Sequence, residues 1–154
     1  MAVNFNDILN KKADEIEKPP LPPQGTYRFT VTKVPEATES QSGEWDILNF
    51  QCQAVEAMDN VDMDDYKGEV TGIRLRKTYM FNKSDEVAFQ QTEYNLRTFL
   101  EKHLGVFEDG MSMGEALNAS KGAQFLGEVT WREDKREGYE GDFQADIGRT
   151  APVE

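Results

Sequence analysis

The sequence predicts an α+β fold, mainly β. Three stretches of period-two apolar alternation come first, a stripe of period 3.6 follows them, and two more alternating stretches close the chain. With 154 residues, 38% of them apolar, one compact core is the default. The 9 Phe, 5 Tyr and 2 Trp supply bulk for it.

Phe5, Ile8, Leu9, Ala13 and Ile16 recur at steps of three and four, which predicts a short amphipathic helix over 4–17. It runs into Pro19-Pro20-Leu21-Pro22-Pro23, where the prolines withhold N–H groups and keep the backbone near polyproline II. Residues 1–25 are therefore read as helix and stiff spacer, 26–150 as the folded domain and 151–154 as a tail. Docking of the helix on its own sheet is expected, since apolar stripes find the nearest core. Presentation to a partner is the alternative.

Over 26–34, Tyr27, Phe29 and Val31 point one way and Arg28, Thr30 and Thr32 the other, a first strand. The stretch 35–44 reads as a polar loop. Trp45 then opens a second strand, in which Leu48, Phe50, Cys52 and Ala54 alternate with Asn49, Gln51 and Gln53. Residues 56–69 hold six acids (Glu56, Asp59, Asp62, Asp64, Asp65, Glu69) and one base, Lys67, an exposed acidic loop. In the third strand Ile73, Leu75, Tyr79 and Phe81 share one face and Arg74, Arg76, Thr78 and Met80 the other. Lys77 falls in the apolar phase, which suggests a bulge or a strand end.

Asn82 or Ser84 is placed to cap a helix whose Phe89, Leu96, Phe99, Leu100 and His103 form one stripe. Gly105 stands where a left-handed C-terminal cap is wanted. Ser112 and Glu115 have the spacing of a capping box for a short helix ending near Ala119. Strands over 123–132 and 139–147 follow, joined by the charged turn 133–138, which ends in Gly138. Tyr27, Phe29, Tyr79, Phe81 and Trp131 are assigned to the core by phase.

The order strand, strand, strand, helix, strand, strand suits an OB-like, five-stranded, partly open barrel with an appended N-terminal helix. Such barrels bind oligonucleotides or oligosaccharides on their second and third strands and the flanking loops. An ordinary antiparallel sheet carrying one helix has the same order.

Lys and Arg total 17 against 29 Asp and Glu, a net charge of −12. A uniform field of that sign repels phosphates. Yet 26–34 and 70–84 contain Arg28, Lys33, Arg74, Arg76, Lys77 and Lys83 and no acid, which predicts a basic stripe on adjacent strands. Acidic loops farther away than a Debye length of about 8 Å are largely screened from it. Single-stranded nucleic acid takes such a groove together with an aromatic platform. Arg28, Arg74, Arg76 and Lys77 are the expected phosphate contacts and Trp45 the stacking platform. Arg132, Lys135 and Arg136 are expected to close the groove from the last hairpin. About four phosphate contacts would give log affinity a slope near −3 against log salt.

The single Cys52 and single His103 offer neither an internal disulfide nor a zinc site. His103 lies on the apolar stripe and is expected to be packed and hydrogen-bonded. Residues 60–64 resemble the start of a calcium loop, but Asp65 stands where Gly is required and Thr71 where Glu is. Phosphate-cradling glycine motifs are absent from the sequence, and no carboxylate pair is selected by spacing. The expectation is a protein that is not an enzyme, with no catalytic residue, metal or cofactor. No apolar run approaches the roughly 20 residues of a membrane helix, and the N-terminus lacks a signal-peptide pattern, so a cytoplasmic location without membrane contact is expected.

Four passages carry a family likeness: Asp7-Ile8-Leu9 with its helix, Leu21-Pro22-Pro23-Gln24-Gly25-Thr26-Tyr27 leading into the first strand, residues 43–50, and Tyr94-Asn95-Leu96-Arg97-Thr98-Phe99-Leu100 leading to Gly105-Val106. In these the chain resembles a family of short bacteriophage single-stranded DNA-binding proteins with an OB-like fold, found among replication and recombination genes. The resemblance implies a protein of the bacterial host cytoplasm that coats single-stranded DNA with little sequence preference. If phage replication or recombination proteins are recruited, 56–69 or the N-terminal helix is the candidate surface. Many phage proteins of this role end in a strongly acidic tail, whereas this chain ends Arg149-Thr150-Ala151-Pro152-Val153-Glu154, so recruitment through the tail is not expected. The alternative is an acidic phage accessory or structural protein acting through protein–protein contacts, which the net charge motivates.

Overall fold

The computed structural model describes residues 5–15, 18, 20–138 and 141–153. Six strands form one open antiparallel sheet: β1 (Gly25–Val31), β2 (Glu36–Glu39), β3 (Trp45–Ala57), β4 (Arg74–Asn82), β5 (Gln124–Glu133) and β6 (Phe143–Ala151). The order is β2-β3-β1-β5-β6, and β4 pairs with β3. Thirteen residues make β3 long enough to take β2 and then β1 along one edge and β4 along the other.

The expected first strand thus ends at Val31, and the expected loop 35–44 contains β2, giving six strands where five were expected. β2 escapes pattern reading because all four of its side chains are exposed, so it carries no apolar alternation. Its pairing with 46–49 of β3 makes it a strand. At the other end of the chain, β6 runs four residues later than the expected 139–147, and Tyr139 lies outside the described residues.

An 18-residue helix packs on the sheet as α2 (Glu86–Thr98), finished by a π turn, Phe99–His103. Its cap is Asp85, whose side chain accepts from the Ala88 N–H at 3.1 Å, and not Asn82 or Ser84. Asn82 instead accepts from the Ser84 N–H in the turn before it. The expected C-terminal cap forms: Gly105 has φ +70°, and the Val106 N–H donates to the Leu100 carbonyl at 2.9 Å. The short helix α3 (Met113–Ala119) starts with the expected capping box between Ser112 and Glu115.

The apolar phases of all these elements meet in one core. Phe99 is its hub, edge-on to Phe50 at 5.1 Å and to Phe125 at 5.0 Å, with Phe29 stacked on Phe125 at 5.7 Å. Tyr27, Phe29, Phe50 and Phe125 are fully enclosed. His103 is packed against Phe99, and its Nδ1 shares a 2.7 Å hydrogen bond with Thr150 Oγ1 of β6. Burial and the nearby Lys77 and Lys102 ammoniums pull its pKa below the ordinary value.

Two expectations fail at the edges of this core. In the N-terminal arm only α1 (Phe5–Leu9) and a 3-10 turn, Ala13–Glu15, form among the described residues. Phe5, Ile8 and Leu9 stay 68%, 53% and 65% exposed instead of docking. One isolated turn presents too little stripe to bury. Ile16 and Glu17 lie outside the described residues. Trp131 has the core phase of the buried Val129, but β5 outruns the core and leaves it 44% exposed. Its indole N–H donates to the Pro22 carbonyl at 2.8 Å, and its backbone N–H donates to Gln24 Oε1. With Lys18 Nζ on the Phe143 carbonyl, these bonds strap the proline spacer to the β5–β6 hairpin, and Tyr27 OH, on the Pro23 carbonyl, ties it to β1.

The acidic segment 56–69 is only partly a loop. Glu56 belongs to β3, while Val61, Met63 and Tyr66 pack on the core. Asn60 clamps β1, accepting from the Thr26 N–H at 2.9 Å and donating to Thr26 Oγ1 at 3.1 Å. This close approach requires Gly25, at φ +138°, because a Cβ there would sit 2.6 Å from Val61 Cγ2.

Candidate nucleic-acid interface

Antiparallel partners share a face, so the β3–β4 register fixes what this part of the sheet presents. Leu48 opposite Tyr79, Phe50 opposite Lys77 and Cys52 opposite Leu75 form the inner rows. The outer rows are Trp45–Asn82, Ile47–Met80, Asn49–Thr78, Gln51–Arg76 and Gln53–Arg74. None of those ten side chains is a carboxylate, on a chain of net charge −12. Successive outer rows stand about 7 Å apart, two strand residues at 3.4 Å each. Arginines occupy one end of the ladder and Trp45, Ile47 and Met80 the other.

Beside the arginines the surface is concave. Thr32, Gln51, Arg74 and Arg76 line a shallow cavity of about 280 Å³, and Lys33, Glu36, Thr38, Asn49, Gln51 and Arg76 line its neighbour of about 300 Å³. Among the described residues Arg74, Arg76 and Lys33 have no ion-pair partner. Glu36 is the one acid in the lining. Neutral residues of the face are held in place: Thr78 Oγ1 donates to Asn49 Oδ1 at 2.7 Å, Gln53 Nε2 donates to the Thr71 carbonyl at 2.7 Å, and the Thr32 N–H donates to the Gln51 carbonyl at 2.9 Å.

The other expected contacts are placed differently. Arg28 is bonded to Glu56 across the β1–β3 pair at 2.8 Å. Lys83 reaches Glu39 at 2.8 Å and Asp46 at 3.0 Å, which raise its pKa. The stretches that hold these bases are acid-free in sequence, but their pairing strands supply the acids. Lys77 leaves the outer face altogether. Its Nζ donates to the Gly148 carbonyl of β6 at 2.9 Å and sits 5.3 Å from the Tyr79 ring centre, and burial lowers its pKa.

On the last hairpin, Arg132 pairs with Asp146 at 2.6 Å and Arg136 with Asp134 at 2.7 Å. Arg136 holds the Asp134 carboxyl down at about 2, chiefly by hydrogen bonding. Lys135 is exposed on the same turn. On the β1 side of the sheet Arg74, Gln53, Thr30 and Gln124 are in line, and Arg132 lies eight positions further along β5. The fold therefore groups Arg74 and Arg76 with Trp45 on one face and leaves Arg28, Lys77, Arg132 and Arg136 engaged elsewhere.

Lys33, counted in the basic stripe but not among the expected contacts, completes the face with Asn49, Gln51, Gln53 and Thr78, which were not singled out from the sequence. The signal for four of them was present, since each falls in the phase opposite a buried row. Lys33 follows the end of β1 and needs the three-dimensional turn to bring it beside Arg76. Among the described residues no group of three or more His, Cys, Asp or Glu is arranged to hold a metal ion, and no helix is long and apolar enough to cross a membrane. No protein-family model and no curated protein sequence matches the chain.

Proposed function

We propose that the chain is a non-enzymatic single-stranded DNA-binding protein of a bacteriophage, and that the strand lies along the outer β3–β4 face. One observation carries the reading: the carboxylate-free ladder that ends in the unpaired Arg74 and Arg76. Phosphates would be neutralised by these two arginines and Lys33, while the apolar end, Trp45 with Ile47 and Met80, takes a base by stacking and contact. The carboxamides between them can meet bases of any identity, which suits a coat with little sequence preference. An OB-like reading of the sheet agrees with this use. Taken together, β1 and β2 act as one bent strand, the helix falls between the third and fourth strands of that count, and Lys77 and His103 link β4 and the helix to β6. Host cytoplasm as the location, and replication or recombination as the setting, rest on the family resemblance alone.

The test is a fluorescence titration with oligo-dT at low salt, using a Trp131→Phe variant so that Trp45 alone reports. Saturable quenching that disappears in Arg74→Glu/Arg76→Glu supports the proposal. A flat titration, or quenching indifferent to the double reversal, rules it out. A second reading, an accessory protein acting through protein contacts, draws support from the exposed Phe5, Ile8 and Leu9.

A further inference from the structure

Two apolar surfaces lack a partner among the described residues. One is the arm, where Phe5, Ile8 and Leu9 stand at i, i+3 and i+4 on α1, more than half exposed, with Lys11 and Lys12 just beyond. The other is a groove of about 490 Å³ between the start of β3 and the helices, lined by Leu48, Phe81, Phe89, Leu96, Met113 and Leu117. Across Met113 it adjoins a second cavity of about 590 Å³, lined by Tyr94 and Phe107 and edged by Glu93, Glu108 and Asp109; Arg97, also in the lining, is paired with Glu101 at 3.0 Å. Among the described residues these three carboxylates have no ion-pair partner. An apolar slot running into an acidic pocket is the complement of an apolar helical turn followed by lysines.

We propose that the arm of one copy seats in the groove of a second copy. Phe5, Ile8 and Leu9 fill the apolar part, and Lys11 meets Glu93, Glu108 and Asp109. In its own chain the arm does not enter the groove: none of Phe5, Ile8 and Leu9 lines it, and all three remain more than half exposed. That leaves the groove open to the arm of a second copy.

The test uses the full chain, nuclease-treated, in sedimentation velocity from micromolar to millimolar concentration. Self-association is expected, weakened about tenfold by Ile8→Asp, which removes a buried aliphatic group from the contact. Lys11→Glu and Glu108→Lys should each weaken it, and the pair together should restore it. All three are exposed positions, so folding is spared. Mixing an Ile8→Cys chain with an Ala37→Cys chain should give a crosslinked heterodimer, since Ala37 lines the groove opposite Leu48, while the buried Cys52 stays silent. A monomer throughout the range, association unchanged by Ile8→Asp, or a crosslink forming only within a chain that carries both cysteines would each overturn the proposal.

Discussion

Lys77 and Gly148 join two strands that share no backbone pairing among the described residues: the ammonium on β4 donates to the carbonyl on β6 at 2.9 Å. The lysine reaches this point because it occupies the inner row opposite Phe50, where its chain runs beside Tyr79 and Cys52. A cation in the apolar phase, which reads along the sequence as a defect, is in space a tie across an open side of the sheet.

Replacing that tie with an apolar chain of similar length should cost stability without touching the DNA face. Lys77→Met is expected to lower the unfolding free energy by about 2 kcal/mol, the usual loss for a hydrogen bond from a charged donor. Urea denaturation measures it, and oligo-dT affinity should stay within about twofold.

Gly127 is a second structural pivot. A Cβ there would lie 2.9 Å from Ile147 Cγ2, 3.0 Å from Phe29 Cδ2 and 3.1 Å from Phe125 Cε2, all in the packed core beside the β5–β6 bulge. Gly127→Ala should destabilise by about 2 kcal/mol through overpacking, read as a lower urea midpoint with an unchanged slope.

Charge reversal at two exposed arginines should have unequal effects. Arg76 is unpaired on the ladder, whereas Arg132 is already bonded to Asp146. With Lys33, Arg74 and Arg76 as contacts, log affinity for oligo-dT should fall with log salt at a slope near −2, shallower than the −3 expected from the sequence. Arg76→Glu should flatten the slope by about 0.7 or more and weaken binding roughly tenfold. Arg132→Glu should leave both nearly unchanged.

Stability should fall in alkali. Burial pushes the Cys52 thiol from 9.0 up to about 12 and the Tyr27 phenol from 10.0 up to about 12, and raises Tyr79 as well. Each group is held neutral in the fold but ionises earlier in the unfolded chain. The stabilisation is therefore complete below pH 9 and is lost as pH rises from 9 toward 12. Lys77, with its pKa lowered, acts in the opposite sense, gaining stability as pH approaches 10.5. Denaturation midpoints measured between pH 8 and 11 should decline, and less steeply in Cys52→Val.

What the sequence revealed was whatever depended on local periodicity. The helix stripe through Phe99 and His103, the Gly105 cap, the Ser112 capping box and the inner phases of β1, β3 and β4 all appear in single windows. β2 stayed hidden because its pairing is its only strand feature. Trp131 was misassigned because phase cannot tell where a core ends. The basic stripe shrank for a related reason: Arg28 and Lys83 meet acids 28 and 44 residues distant, a neighbour relation set by register and invisible to composition. The rows of Arg74 and Arg76 survived because their partners on β3 are glutamines.

Short β2 also has a bearing on solubility. It borders the sheet with only four residues, and a glutamate stands at each of its ends. A strand so brief and so charged is a poor template for a foreign backbone to zip onto, which guards concentrated protein against fibrous growth.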